Sequence, residues 1–158
     1  LVLYIGVVAG TYFGMRMYQR RDLLKSGTTK APTFATQTLA GNPVSLSQWQ
    51  GKRVLLFFFA PWCSACKRNV DTLNSLAAKT DRNKVIVAAV ALSYRTPEEV
   101  VHFKKRFDVK FPIIMGNHRI ANSYRVNSFP TTYVIDEQGR IADSFLGYTP
   151  EMFFSWAL

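Results

Sequence analysis

Three stretches of the chain are apolar without a break, and each reads differently. Residues 1–15, LVLYIGVVAGTYFGM, carry no charged side chain. As a helix they span about 22 Å at 1.5 Å per residue, short of the roughly 30 Å hydrocarbon core of a bilayer. The sequence does not begin with Met, so the expectation is that residues upstream complete the span and that 1–18 is the visible part of a transmembrane anchor. The run continues into Arg16-Met-Tyr-Gln-Arg20-Arg21 without a small-x-small cleavage site, which favours a retained anchor over a cleaved signal peptide. A buried helix of a soluble protein is the competing reading. Gly6, Gly10 and Gly14 recur on one helical face. That is a small-xxx-small surface suited to a weak homodimer in lipid, and chance spacing accounts for it equally well. Arg16, Arg20, Arg21 and Lys25 follow. Positive flanks prefer the cytoplasm, but with the other flank unseen charge does not set the orientation. Residues 19–32 then read as a polar linker ending in Ser26-Gly-Thr-Thr-Lys-Ala-Pro32.

The other two runs lie in residues 33–158, long enough for one sizeable core. Val54-Leu-Leu-Phe-Phe-Phe59 is bounded by Gly51-Lys52 and Ala60-Pro61, and Lys84–Leu92 contains VIVAAVAL. Continuous apolar runs of this length read as strands buried on both faces. Phe34–Leu39 and Val44–Leu46 around Gly41-Asn42-Pro43 suggest a short hairpin. A helix is expected over Ser64–Lys79, with Val70, Leu73, Leu76 and Ala77 on one face. Thr96-Pro97-Glu98-Glu99 opens another: a capping hydroxyl, Pro at the first position and acids at the positive end of the dipole. Phe111–Ile114 reads as a short strand, Thr131–Ile135 and Arg140–Phe145 as a hairpin around Asp136-Glu-Gln-Gly139, and Thr149-Pro150-Glu151 as the start of a last helix. Strand–helix–strand–helix followed by a hairpin and a helix predicts an α/β domain, a mixed central sheet with helices on both faces.

Composition narrows the function classes. The chain has 158 residues, 48% hydrophobic and 19% charged, too apolar for a disordered protein. No repeat or low-complexity segment is visible, which argues against solenoids and propellers. The formal charge is +10, but the basic residues are scattered and no nucleic-acid recognition module accompanies them, so nucleic acid is not an expected partner. The run at Arg16–Lys25 suits lipid headgroups, and Lys104-Lys105-Arg106 suits the solvated end of a helix.

The chain has 2 cysteines, Cys63 and Cys66, inside Ala60-Pro61-Trp62-Cys63-Ser64-Ala65-Cys66. The motif falls where the central strand ends and its helix begins. There the free N–H groups and the dipole favour a thiolate, lowering a thiol pKa from its ordinary value of about 8.5. Cys66, nearly one turn on, is close enough to form and break a disulfide with Cys63. Lys67 and Arg68 add positive charge. A zinc site would need four ligands. Only His102 and His118 remain as candidates, without paired spacing, so no metal is expected. A purely structural disulfide over so small a loop would gain little. A second motif, Ser128-Phe129-Pro130-Thr131, precedes a strand. Pro130 could simply stop a loop. The alternative is a cis Phe129–Pro130 bond that sets backbone opposite the cysteines.

These residues resemble the thioredoxin-fold, membrane-anchored TlpA/ResA/DsbE group of thiol–disulfide oxidoreductases. The resemblance runs through Ala31-Pro32-x-Phe34, Leu39-x-Gly41-x-x-Val44-Ser-Leu46, Gly51-Lys52, Trp62-Cys63-x-x-Cys66 and Phe129-Pro130-Thr131-Thr132. It implies a three-layer α/β/α domain and thiol–disulfide exchange on the periplasmic side of a bacterial inner membrane, with a single-pass anchor. Electrons would come from a transmembrane or thioredoxin-type donor. Cys63 would be the exposed attacking thiol, Cys66 the buried resolving thiol and Pro130 the cis-proline. Pro61, Trp62 and Phe129 would support substrate, and no cofactor beyond the Cys63–Cys66 disulfide is implied.

The chain also departs from these patterns. A buried acid six residues before the first Cys of thioredoxins is here Phe57, and a Glu six residues after it in cytochrome c-maturation members is here Asn69. Peroxiredoxins share the upstream pattern but carry Thr three residues before their Cys, where this chain has Ala60. A general disulfide reductase, or a relative of copper-tolerance thioredoxin-like proteins, fits as well as haem-protein maturation. The expected partners are disulfide-bearing proteins outside the cytoplasm. The competing class is a non-catalytic binding module that docks partners on the cis-Pro surface.

Overall fold

The computed structural model describes residues 2–158, with the side chains of residues 2, 3, 16, 19 and 20 outside the description. Arg53–Phe59 forms strand β3, in which Val54, Leu55, Leu56, Phe57, Phe58 and Phe59 are all buried. It pairs in parallel with β4, Val85–Ala91, and antiparallel with β6, Thr131–Ile135. β5, Ile113–Met115, extends the sheet beyond β4, and β7, Ile141–Leu146, extends it beyond β6. The order is β5-β4-β3-β6-β7, a mixed sheet as expected.

Alternation along β3 sends its side chains into two cores. Leu55, Phe57 and Phe59 meet Val70, Leu73 and Leu76 of α2 (Ser64–Lys79), Val100 and Phe103 of α3 (Pro97–Arg106) and Phe154 of α5 (Glu151–Ala157). Val54, Leu56 and Phe58 meet Ile120 of α4 (His118–Ser123), Tyr124, Tyr133 and the chain from Leu23 to Phe34. Helix α4 and a 3-10 turn at Leu46–Trp49 add to the elements that the hydrophobic pattern predicts. The first hairpin is present as β1, Ala35–Gln37, against β2, Pro43–Ser45. It lies along the free edge of β5, where Leu39 N donates to Ile113 O at 2.8 Å.

The N-terminal run forms α1, Val2–Arg20. Leu1 of the predicted anchor lies outside the described residues. Ile5, Val7, Val8 and Phe13 are exposed, and a Cβ added at Gly6, Gly10 or Gly14 would meet nothing within 4 Å. No helix among the described residues is long and apolar enough to cross a membrane. The described part of the segment therefore does not by itself supply the span expected of 1–18: α1 takes Arg16 and Arg20 into its 19 residues and dilutes its apolar content with Thr11 and three glycines.

The predicted linker also reads differently. Leu23, Leu24 and Ala31 are buried. Gly27 N donates to Ile141 O, Ile141 N to Thr29 O, and Ala31 N to Gly139 O, so residues 27–31 run along the outer edge of β7. Two buried phenols fasten the strap. Tyr133 Oη accepts from Leu24 N at 3.2 Å and donates to Tyr124 O at 2.8 Å. Tyr124 Oη donates to Pro32 O at 2.7 Å.

Tyr133→Phe should cost about 1–3 kcal/mol, because Leu24 N–H and the Tyr124 carbonyl lose their partner; urea unfolding measures it. Burial raises both phenols above their ordinary value. A raised folded-state pKa means that the unfolded chain ionises first. The stabilisation is therefore whole below about 10 and drains away as pH rises further. The alkaline fall in stability should be shallower in Tyr133→Phe than in the wild type.

Candidate redox-active site

β3 runs out at Ala60, and Pro61 cannot continue a ladder. Cys63 N donates to Ala60 O at 3.0 Å, closing the turn. Cys63 is then the N-cap of α2, its Sγ accepting from Cys66 N at 3.2 Å. A sulfur thus occupies the place where a hydroxyl or carboxylate caps a helix. The dipole there favours negative charge by about 0.3–1 kcal/mol. Cys63 and Cys66 form a disulfide. Cys63, predicted as the exposed thiol, is only 5% exposed, against 0% for Cys66. Both residues are buried, and both sit in one core cluster with Phe57, Phe59 and Val70.

The predicted supporting residues are brought to this motif. Trp62 is 62% exposed, and its ring meets that of Phe129 edge to face at 5.8 Å. The Phe129–Pro130 bond is cis, and Pro130 is buried. Pro130 O accepts from Gly147 N at 2.8 Å, tying this loop to the end of β7. Pro61 is half-buried beside Trp62.

Several contributors carry no usable sequence signal. Trp62 Nε1 donates to Ser93 O at 3.1 Å, and Ser93 is a non-glycine residue with a φ of 52°. Tyr94 Oη donates to Gly116 O at 2.9 Å, holding that loop. Gly116 is obligatory: a Cβ there would lie 2.7 Å from Ala91 O and 2.6 Å from Leu92 Cδ2. A glycine closing a short strand is the one available hint of this close approach.

Among the described residues no Asp or Glu is buried. Phe57 is 1% exposed and stacks on Phe59 with centroids 6.0 Å apart. Asn69 is also 1% exposed. Its Nδ2 donates to Thr149 O at 2.9 Å, and its Oδ1 has no partner among the described residues. Asp71 and Glu98 are exposed. The two cations after Cys66 diverge: Lys67 Nζ lies 5.5 Å from the Phe107 ring centroid and Arg68 Cζ 5.5 Å from that of Tyr148. His102 and His118 are both exposed. Among the described residues no cluster of three or more His, Cys, Asp or Glu could hold a metal ion.

Comparison with known proteins agrees with this geometry. A model of the AhpC/TSA family matches residues 28–144. The thioredoxin-like protein YneN of Bacillus subtilis is 32% identical over 151 residues, 93% of this chain and 86% of YneN. The thiol-disulfide oxidoreductase ResA of Bacillus cereus is 28% identical over 148 residues, 93% of this chain and 84% of ResA. Among solved structures, a protein assigned as thiol:disulfide interchange protein DsbE from Chlorobium tepidum superposes with a TM-score of 0.78 at 27% identity, covering 85% of this chain and 95% of that one.

With no buried carboxylate to couple to, alkylation of Cys63 in the reduced protein should follow a single-proton titration. Asn69→Asp places a buried acid three residues from Cys66, and like charges at close range disfavour each other. That variant should show a second step. Two steps in the wild type would contradict this account.

Proposed function

The chain belongs to the AhpC/TSA family, with a thioredoxin-like α/β fold, and it is a thiol–disulfide oxidoreductase; we propose that it acts as a reductase of protein disulfides outside the cytoplasm. The observation that carries the reading is the Cys63–Cys66 disulfide at the N-cap of α2. In the reduced protein Cys63 attacks one sulfur of a substrate disulfide, forming a mixed disulfide and releasing the other sulfur as a thiolate. Cys66 then attacks Cys63 Sγ, releasing the second substrate sulfur and closing the bond seen here. Substrate gains two electrons and two protons; a dithiol donor, itself transmembrane or thioredoxin-type, returns them. No cofactor beyond the cysteine pair enters.

Trp62, Phe129 and Pro61 form the rim on which substrate rests, and buried Pro130 supports it from behind Phe129. The helix end supports Cys63 as nucleophile, and complete burial supports Cys66 as resolving thiol. Ala60, where a peroxidatic site carries Thr, argues for exchange with disulfides over peroxide reduction. The exposed apolar side chains of α1, followed by exposed Arg21 and Lys25, support tethering to a bacterial inner membrane with the domain in the periplasm. The open Gly6–Gly10–Gly14 face supports a weak homodimer there.

Insulin reduction with a dithiol donor tests the reading: turnover is expected, and its absence with Cys63 and Cys66 locked together would favour a binding module. A pair potential nearer about −270 mV fits a reductase, whereas one near about −120 mV would make the protein an oxidant. Cys66→Ser should accumulate mixed disulfides through Cys63. Deleting residues 1–15 should move active protein from the membrane to the soluble fraction.

A further inference from the structure

A groove of about 990 Å³ opens beside the redox motif. Pro61 and Trp62 form one wall, the Ser93–Arg95 loop and α3 the other. Its charges are uneven. Lys67, Arg95 and Arg106 line it against one carboxylate, Glu99, with His102 and His118 alongside. Glu99 Oε2 is engaged by the backbone, accepting from Arg95 N at 3.0 Å. Lys67 Nζ and Arg106 Cζ share a single ring, lying 5.5 and 5.6 Å from the Phe107 centroid. Two like charges over one ring repel, and neither is among the ion pairs of the described residues, which join Arg53–Glu137, Lys79–Glu151 and Lys110–Asp108. The sequence pattern places Arg106 merely at the solvated end of its helix; in the structure it turns to the groove that ends at Trp62.

We propose that this groove binds an acidic segment of the disulfide-bearing partner, with Asp or Glu side chains flanking the cysteine that Cys63 attacks. The inference rests on the oxidoreductase reading and names its substrate class. Lys67 lies nearest the motif, on α2 itself. Arg95 and Arg106 extend the positive surface along α3. Trp62, held by its bond to Ser93 O, packs on the substrate chain where it leaves the groove for the disulfide. Charge of this arrangement raises the encounter rate with acidic partners and penalises basic ones.

The test uses the full chain, reduced beforehand, reacted once with two disulfide-bonded peptides that differ only in carrying Asp or Lys pairs beside the same cysteines. Dithiothreitol provides the reference rate for each peptide. Acidic flanks raise the leaving thiol's pKa and slow that reference reaction, so an acidic preference would run against the intrinsic trend. The wild type should favour the acidic peptide by about tenfold after division by the reference. The preference should disappear in about 1 M salt, where the screening length is about 3 Å. It should vanish in Arg95→Gln/Arg106→Gln and invert in Arg95→Glu/Arg106→Glu. Equal rates in the wild type, or a preference that survives charge reversal, would overturn the acidic-groove proposal and leave the oxidoreductase reading intact. Failure of the reduced protein to react with either peptide would overturn both.

Discussion

Strand β3 has no solvent face. From Val54 to Ala60 no side chain exceeds 1% exposure, so a layer must cover each side of the sheet and the strand must end abruptly where the chain meets water. That end is Pro61. The turn it starts delivers Cys63 to the N-cap of α2, while Val70, Leu73 and Leu76 of the same helix pack back on Leu55, Phe57 and Phe59. The apolar contacts that hold α2 against the sheet therefore also fix the sulfur at the helix end. Fold stability and placement of the reactive atom share one set of contacts, and loosening either loosens both.

The surroundings of the disulfide are apolar below and cationic beside. Phe57 fills the space under the motif with a ring, and Asn69 contributes an amide whose donor is spent on Thr149. Neither can accept a proton at neutral pH. Among the described residues charge comes from outside the core, through the backbone N–H groups of α2 and through Lys67 and Arg68, each resting on an aromatic ring. Such contacts are worth about 0.5–1 kcal/mol at exposed sites, enough to bias where these side chains lie without immobilising them.

The elements legible in the sequence are those with a strong local signature. Helix α2 has the bounds expected for it, Ser64–Lys79, because Pro61, the Cys pair and a regular apolar stripe all agree. The buried runs of β3 and β4 and the turn at Asp136–Gly139 declare themselves in the same way. Helix α4 does not, since its 6 residues bury only Ile120. The strap from Leu23 to Ala31 looks like linker because its two leucines stand alone among polar residues. What holds it is Tyr133 and Tyr124, far along the chain, through bonds to Leu24 and Pro32. The cysteines and the cis-proline are readable as a motif. The hold of Ser93 on Trp62 is not, because a backbone carbonyl has no letter in the sequence. Nor is the near-complete burial of Cys63, which comes from its place in the core cluster with Phe57, Phe59 and Val70.

The strap and the first hairpin have one consequence in common. A sheet of this order has two outer strands, β5 and β7, and unpaired outer strands invite pairing with a second molecule. Thr38 and Leu39 occupy the backbone of β5 at Ile114 and Ile113, and residues 27–31 occupy that of Ile141, the first residue of β7, and of Gly139 in the turn ahead of it. Each seal is a few bonds long and comes from the N-terminal side of the domain. A truncated protein begun at residue 33, where composition alone would draw the domain boundary, strips the β7 seal and exposes Ile141 to intermolecular strand pairing. A version begun ahead of Leu23 keeps both edges closed and is the one to expect monomeric at high concentration.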